Sequence, residues 1–285
     1  MTANSEPQCV WPVETMLGEG PMWSHAEQAL WFVDIKKNHI HRLEPTTGAK
    51  MTFDTPESPG FIVTVDGEFI VGMKNGLYRF HPAHGAFVLL HRVDPDKPGN
   101  RLNDGALDSK KRLWFGTMDN DETDPTGSLY CVDGGAPQAM DSGICITNGP
   151  CFSPDGKILY HTDTLKKTIY AFDLSDDGTL SNKRVWVRIE DGAGYPDGSV
   201  TDAEGCVWVG LYAGWAARRY APDGKLISAV RFPCANITKL AFAGPDLKTV
   251  YATTAWKGLS DTERAAQPLA GGLFRFDSDV AGLKI

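Results

Sequence analysis

Apolar residues along this chain gather in short runs, not at helical spacing. Leu30-Trp31-Phe32-Val33, Phe69-Ile70-Val71-Gly72, Leu113-Trp114-Phe115-Gly116, Leu159-Tyr160-His161-Thr162, Val207-Trp208-Val209-Gly210 and Val250-Tyr251-Ala252-Thr253 start 39, 44, 46, 48 and 43 residues apart. Short aromatic and β-branched runs of this kind read as strands. Each is followed by a second run, "IHRLEPTTG", "LYRFHPAHG", "SLYCVDGG", "IYAFDLSDDG", "ARRYAPDG" and "LFRFDSDVAG", that ends in a turn of Gly, Asp and Pro. Six units of about four strands, repeating every ~40–50 residues, predict a β-propeller. The fold class expected is therefore all-β, with six four-stranded antiparallel blades around a central channel. Residues 259–267, "LSDTERAAQ", are the best helix candidate, an insertion in the last blade. "CVWPV" at 9–13 is expected to complete that blade from the N-terminal side and close the ring.

Composition narrows the class without changing it. The 285 residues include 30 Gly and 18 Pro, as a chain full of tight turns requires, and 42% of them are hydrophobic, enough for a full core. No Ser/Pro run or charge block marks a linker, so residues 1–285 are read as a single propeller domain. A net charge of −8 argues against a nucleic-acid surface, which needs a basic stripe. No apolar run approaches the ~20 residues of a membrane span. The polar segment Met1–Pro7 lacks the apolar core of a secretory signal. The six cysteines (Cys9, Cys131, Cys145, Cys151, Cys206, Cys234) are scattered without a C-x-x-C pair, as structural thiols at strand positions would be. The expectation is a reduced, cytoplasmic monomer.

Upstream of the aromatic run, four blades repeat a second pattern. Glu19 stands twelve residues before Trp31, Asp104 ten before Trp114 with Asn103 beside it, Asn148 twelve before Tyr160, and Asp197 eleven before Trp208. Any one of these is a common turn residue. Four at nearly one blade position are another matter, because the first strand of each propeller blade lines the channel. Glu19, Asn148 and Asp197, with Asn103 and Asp104 nearby, would converge on one spot. Inward carboxylates repel each other and are costly to desolvate unpaired. A divalent cation is the natural compensation, since these are hard oxygen ligands suited to Ca²⁺, Mg²⁺, Mn²⁺ or, less selectively, Zn²⁺ and Fe²⁺.

At these residues the chain resembles the gluconolactonase/regucalcin (senescence marker protein) family of six-bladed lactonases. The resemblance is carried by "LGEGPMW" (17–23), "RLNDGALD" (101–108), "RLWFGTM" (112–118), "NGPCFSPDGKILYHTDT" (148–164) and "YPDGSVTDAEG" (195–205), and it spans nearly the whole chain. Within the family it is most similar to bacterial sugar-acid lactonases such as xylonolactonase. The resemblance implies that Glu19, Asn148 and Asp197 hold one divalent metal ion, and that Arg101 and Asn103 contact the oxygens of a sugar lactone. Regucalcin-type members place a substrate-facing Glu after "GTM"; in "GTMDNDETDP" the nearest match by spacing is Asp121, with Glu122 beside it.

The implied activity is hydrolysis of an aldono-1,4- or 1,5-lactone, a pentonolactone such as xylonolactone being expected, to the open-chain sugar acid. A metal with open positions would serve as Lewis acid and oxyanion site. No G-x-S-x-G elbow is present. Asp197 is the candidate general base, because a carboxylate can bind metal through one oxygen and take a proton with the other. The alternatives are a metal-dependent arylesterase or organophosphate hydrolase, and a non-catalytic calcium-binding propeller. Among other residues, His161 is expected to be a satisfied strand histidine, and His81 and His84 to be solvated in an outer turn. Trp215 is a candidate for the pocket mouth, and residues 53–61 for a loop lying over the channel.

Overall fold

The structure, a computed structural model, describes residues 5–284. The start of the polar Met1–Pro7 segment lies outside the described residues. Six four-stranded antiparallel sheets form the blades of a propeller. The innermost strands are Gly18–Ser24, Pro59–Val65, Asn100–Leu107, Thr147–Phe152, Tyr195–Thr201 and Asn236–Ala243, in blades 1 to 6. The apolar runs of the sequence are the second strands, and blades 1 to 5 continue outward in chain order. Blade 6 takes its outermost strand, Gln8–Trp11, from the other end of the chain, paired antiparallel with Leu273–Asp277. That strand stops at Trp11, before Pro12, which has no N–H to donate. The helix spans Asp261–Ala266, opens on a Ser260/Glu263 capping box and buries no side chain, as an insertion outside the core should.

The ring closes through its core. Six apolar clusters fill the six gaps between successive blades, the last of them joining Leu30 and Phe32 of blade 1 to Ala241 and Tyr251 of blade 6. Trp31, Trp114 and Trp208 are fully buried in their second strands. A buried indole N–H needs an acceptor. Each finds it in an acid of the preceding turn: Glu27 at 3.2 Å, Asp108 at 2.9 Å and Asp202 at 2.9 Å. Arg42, Arg112 and Arg219 then neutralise those acids. Half the blades thus carry one Trp–acid–Arg unit, which the aromatic pattern alone does not reveal.

Residues 53–61, the candidate for a loop over the channel, contribute no residue to the lining of the central cavity. They carry the chain from the outermost strand of blade 1, Ala49–Asp54, to the innermost strand of blade 2. All six cysteines are free. Among the described residues, no helix is long and apolar enough to cross a membrane.

Candidate functional site

Sheet register explains why several blades present a polar side chain at one place. In every blade the pairing between innermost and second strands slips once. Such a bulge re-aims the side chains beside it. Beyond the slip, Met22, Val63, Ala106, Cys151, Val200 and Ala241 lie opposite Trp31, Ile70, Trp114, Tyr160, Trp208 and Tyr251. The residues three positions earlier are Glu19, Gly60, Asn103, Asn148, Asp197 and Thr238, one per blade. Glu19, Asn103, Asn148 and Asp197 line one cavity of about 200 Å³.

The next residue in each blade forms a second layer: Gly20, Phe61, Asp104, Gly149, Gly198 and Lys239. Asp104 therefore belongs one step below the ring that its spacing suggested. It accepts hydrogen bonds from the Gly105 and Gly149 amides, at 2.7 and 2.8 Å, and pairs with the Lys239 ammonium. A Cβ on Gly198 would lie 2.5 Å from the Lys239 side chain, and one on Gly149 2.5 Å from the Ser199 nitrogen. Glycine is what leaves room for this floor.

Above the floor, hydrogen bonds tie the ring together. Arg101 donates through Nη1 to Asn103 Oδ1 at 2.6 Å and to the Leu102 carbonyl at 3.2 Å. Asn103 donates both N–H groups, to the Thr147 carbonyl at 2.7 Å and to Asn148 Oδ1 at 2.8 Å. Asn148 in turn donates to Thr164 Oγ1 at 2.9 Å. Burial, then the charge of Asp104, pushes Glu19 up to about 8. Burial, then the charges of Glu19 and Asp104, holds Asp197 well above the usual carboxylate range. Arg101 is lowered to about 10 by burial, against the attraction of Glu122, Glu19 and Asp197.

The acids fit a cation. Glu19 and Asp197 are buried acids lining one cavity, and each other's charge disfavours ionisation, so the pair needs either a shared proton or a positive ion between them. The donor set is two carboxylates and an amide, all hard oxygens. Among the described residues no three His, Cys, Asp or Glu side chains gather as a metal cluster; the amide of Asn148 lines the same cavity as the two carboxylates.

Over the cavity, Glu122 and Lys257 form a second ion pair, and both line it. Asp121, the residue favoured by spacing, is exposed and does not line the cavity. Glu122 has φ of 61°, in the left-handed region. Trp215 is 40% exposed and also lies outside the lining, where Tyr195 and Tyr212 stand instead. His81 and His84 are exposed. His161 is fully buried, but neither ring nitrogen has a partner, so it is not the satisfied histidine expected. Sequence reasoning missed Lys239 and Lys257. Lys239 stands twelve residues before Tyr251, the same offset as Glu19 before Trp31, and that signal was available. For Lys257 there is no comparable signal.

Comparison with known proteins follows the same residues. Positions 17–256 match the family described as SMP-30/Gluconolactonase/LRE-like region. A 6-deoxy-6-sulfogluconolactonase of Pseudomonas putida is 34% identical, over 98% of this chain and 97% of that protein. Regucalcin of Oryctolagus cuniculus is 35% identical, over 94% of this chain and 93% of its own. Among solved structures, a calcium-binding protein, regucalcin, from Agrobacterium tumefaciens superposes with a TM-score of 0.94 at 30% identity, covering 98% of this chain and 96% of that one.

Proposed function

This chain belongs to the SMP-30/gluconolactonase/LRE-like family, and on that premise we propose that it hydrolyses a sugar lactone, an aldono-1,4- or 1,5-lactone, to the open-chain acid. The observation that carries the reading is the ring of Glu19, Asn103, Asn148 and Asp197 facing one small cavity beside a buried arginine. A hard divalent cation held by Glu19, Asn148 and Asp197 would polarise the lactone carbonyl and acidify a water, with Ca²⁺, Mg²⁺ or Mn²⁺ suiting an all-oxygen set best.

The chain's own residues do the rest. Asp197 takes a proton from water as the water oxygen bonds to the carbonyl carbon. Collapse of the tetrahedral intermediate breaks the bond from acyl carbon to ring oxygen, and Asp197 returns the proton to the leaving alkoxide. Arg101 keeps N–H groups for substrate oxygens, because only its Nη1 is engaged. Asn103 has spent both N–H groups, so it offers the substrate only an Oδ1 lone pair and otherwise orients Arg101 and Asn148. Glu122, not Asp121, is the acid positioned to meet substrate. A cavity of about 200 Å³ suits a pentono- or hexonolactone, and xylonolactone is the first to try.

A second reading, a propeller that holds calcium without turnover, draws on the description of the Agrobacterium structure. One experiment separates the two. Chelator-stripped protein is given each divalent cation in turn and assayed on pentono- and hexonolactones, with an aryl ester and an organophosphate alongside. Lactone turnover restored by one bound cation per chain is expected, with a rise in Tm on loading. Cation binding without turnover of any of these substrates would leave the calcium-holding reading; turnover of the aryl ester or organophosphate alone would replace the substrate class.

A further inference from the structure

More positive charge gathers over the cavity than a neutral sugar lactone can use. Arg101 is 2% exposed and lines the cavity, yet its Nε is buried without a partner. Lys257 lines the same cavity from blade 6, and its carbonyl is fixed by hydrogen bonds from the Tyr212 hydroxyl and, at 3.1 Å, from Asn236 Nδ2. Its ammonium meets a single acid, Glu122. Lys36, donating to Asn120 Oδ1 at 3.1 Å, is near enough that the charges of Arg101 and Lys257, after burial, lower its own proton affinity. Four acids face these three cations, Glu19, Asp197 and Glu122 acting on Arg101 and Glu122 and the exposed Asp121 on Lys36. With Glu19 and Asp197 committed to the divalent cation of the lactonase reading, Glu122 and Asp121 are the two left to oppose them.

We propose that the preferred substrate is a lactone whose carbon chain carries an acid group, a carboxylate or a sulfonate, remote from the ring carbonyl, with Arg101 and Lys257 selecting it. The proposal rests on the lactonase reading. A guanidinium with N–H groups to spare binds an anionic oxygen through a charge-assisted hydrogen bond, which is shorter and stronger than one to a neutral hydroxyl. The acid also gives Lys257 a partner that Glu122 now supplies. Glu19 and Asp197 repel such a tail from the end that takes the ring carbonyl, whereas at the roof the repulsion of Glu122 is offset by Lys257 and Arg101, so the tail binds there.

The test compares three lactones on the cation-loaded protein: D-gluconolactone, glucaro-1,4-lactone with a terminal carboxylate, and 6-deoxy-6-sulfogluconolactone with a terminal sulfonate. At least one acid-bearing lactone is expected to exceed gluconolactone in kcat/KM by on the order of tenfold, mainly through KM. That advantage should shrink as salt rises. Whichever acid wins identifies the group. Lys257→Met should cut the acid-to-neutral ratio by about tenfold, and Lys257→Arg should keep most of it. Calorimetric binding of glucarate against gluconate reads the same preference without turnover. Hydrolysis of gluconolactone with no preference for either acid, or an equal loss on all three lactones in Lys257→Met, overturns the proposal and leaves the lactonase reading standing. Tighter binding of glucarate with no lactone hydrolysed supports the acid site and defeats the lactonase reading instead.

Discussion

Lys239 of blade 6 reaches across the channel to Asp104 of blade 3, and the pair closes the channel beneath the acids of the site. Blades 3 and 6 are opposite each other in a ring of six, so the bond spans the axis. Glu122 and Lys257, over the cavity, join the same two sides of the ring. The site is thus held between a buried ion pair below and a half-exposed one above.

Removing one partner of the lower pair should be costly. Lys239→Met leaves the Asp104 carboxylate buried with only backbone amides to stabilise it, which typically costs about 3–5 kcal/mol. Adding Asp104→Asn to the same chain should recover most of that loss. Urea denaturation of the two single variants and the double variant measures the coupling. A double variant no more stable than Lys239→Met would show that the pair contributes nothing as a pair.

Asp197→Asn keeps one oxygen ligand but cannot accept a proton. The variant should fold, bind cation more weakly, and lose roughly 10²-fold or more in turnover at saturating cation. Bound metal must be counted in the assayed sample, since metal loss would imitate the defect. Near-normal turnover in a fully loaded Asp197→Asn protein would mean that the carboxylate is not the base.

Asn103→Ala and Arg101→Ala should differ in kind. Asn103 orients the Asn148 oxygen by a 2.8 Å hydrogen bond, so its loss should weaken cation affinity as well as catalysis. Arg101 has no such bond to a proposed ligand, and its loss should fall mainly on kcat/KM for lactone, by about 1 kcal/mol or more per lost hydrogen bond. Cation titration followed by Tm, set beside kinetics, separates the two. Equal cation affinity in both variants would remove Asn103's positioning role.

His161 gives the fold an acid sensitivity of its own. Burial lowers it from its ordinary 6.5 to about 4, so the unfolded chain binds its proton first as pH falls. Its contribution is fully present above pH ~6.5 and is lost progressively as pH falls toward about 4, by up to about 3 kcal/mol. His161→Leu should flatten the stability profile across that window. An unchanged profile would assign the acid sensitivity to other groups.

The blades were legible because their signal is local and repeated. A Leu-Trp-Phe-Val run followed by a Gly/Asp turn reads as strand and hairpin wherever it falls, and six copies correct the ambiguity of any one. Glu19, Asn148 and Asp197 were legible for a related reason: the same bulge recurs at nearly the same distance from the aromatic strand, so offset alone brings them into register. Choosing Asn103 over Asp104 for the ring was not open to the sequence, because side chains alternate along a strand and the bulge shifts that alternation by an amount only the cross-strand pairing decides. Spacing favours Asp121 over its neighbour, yet Glu122 is the one that lines the cavity, because which of two adjacent loop acids turns inward depends on the backbone path of the loop and not on its length. The partners of Lys239 and Lys257 lay furthest from reach, although the offset of Lys239 from Tyr251 matches that of Glu19 from Trp31. Each lysine bonds an acid 135 residues away on the opposite side of the ring, and no local pattern encodes a contact that exists only once six blades have closed.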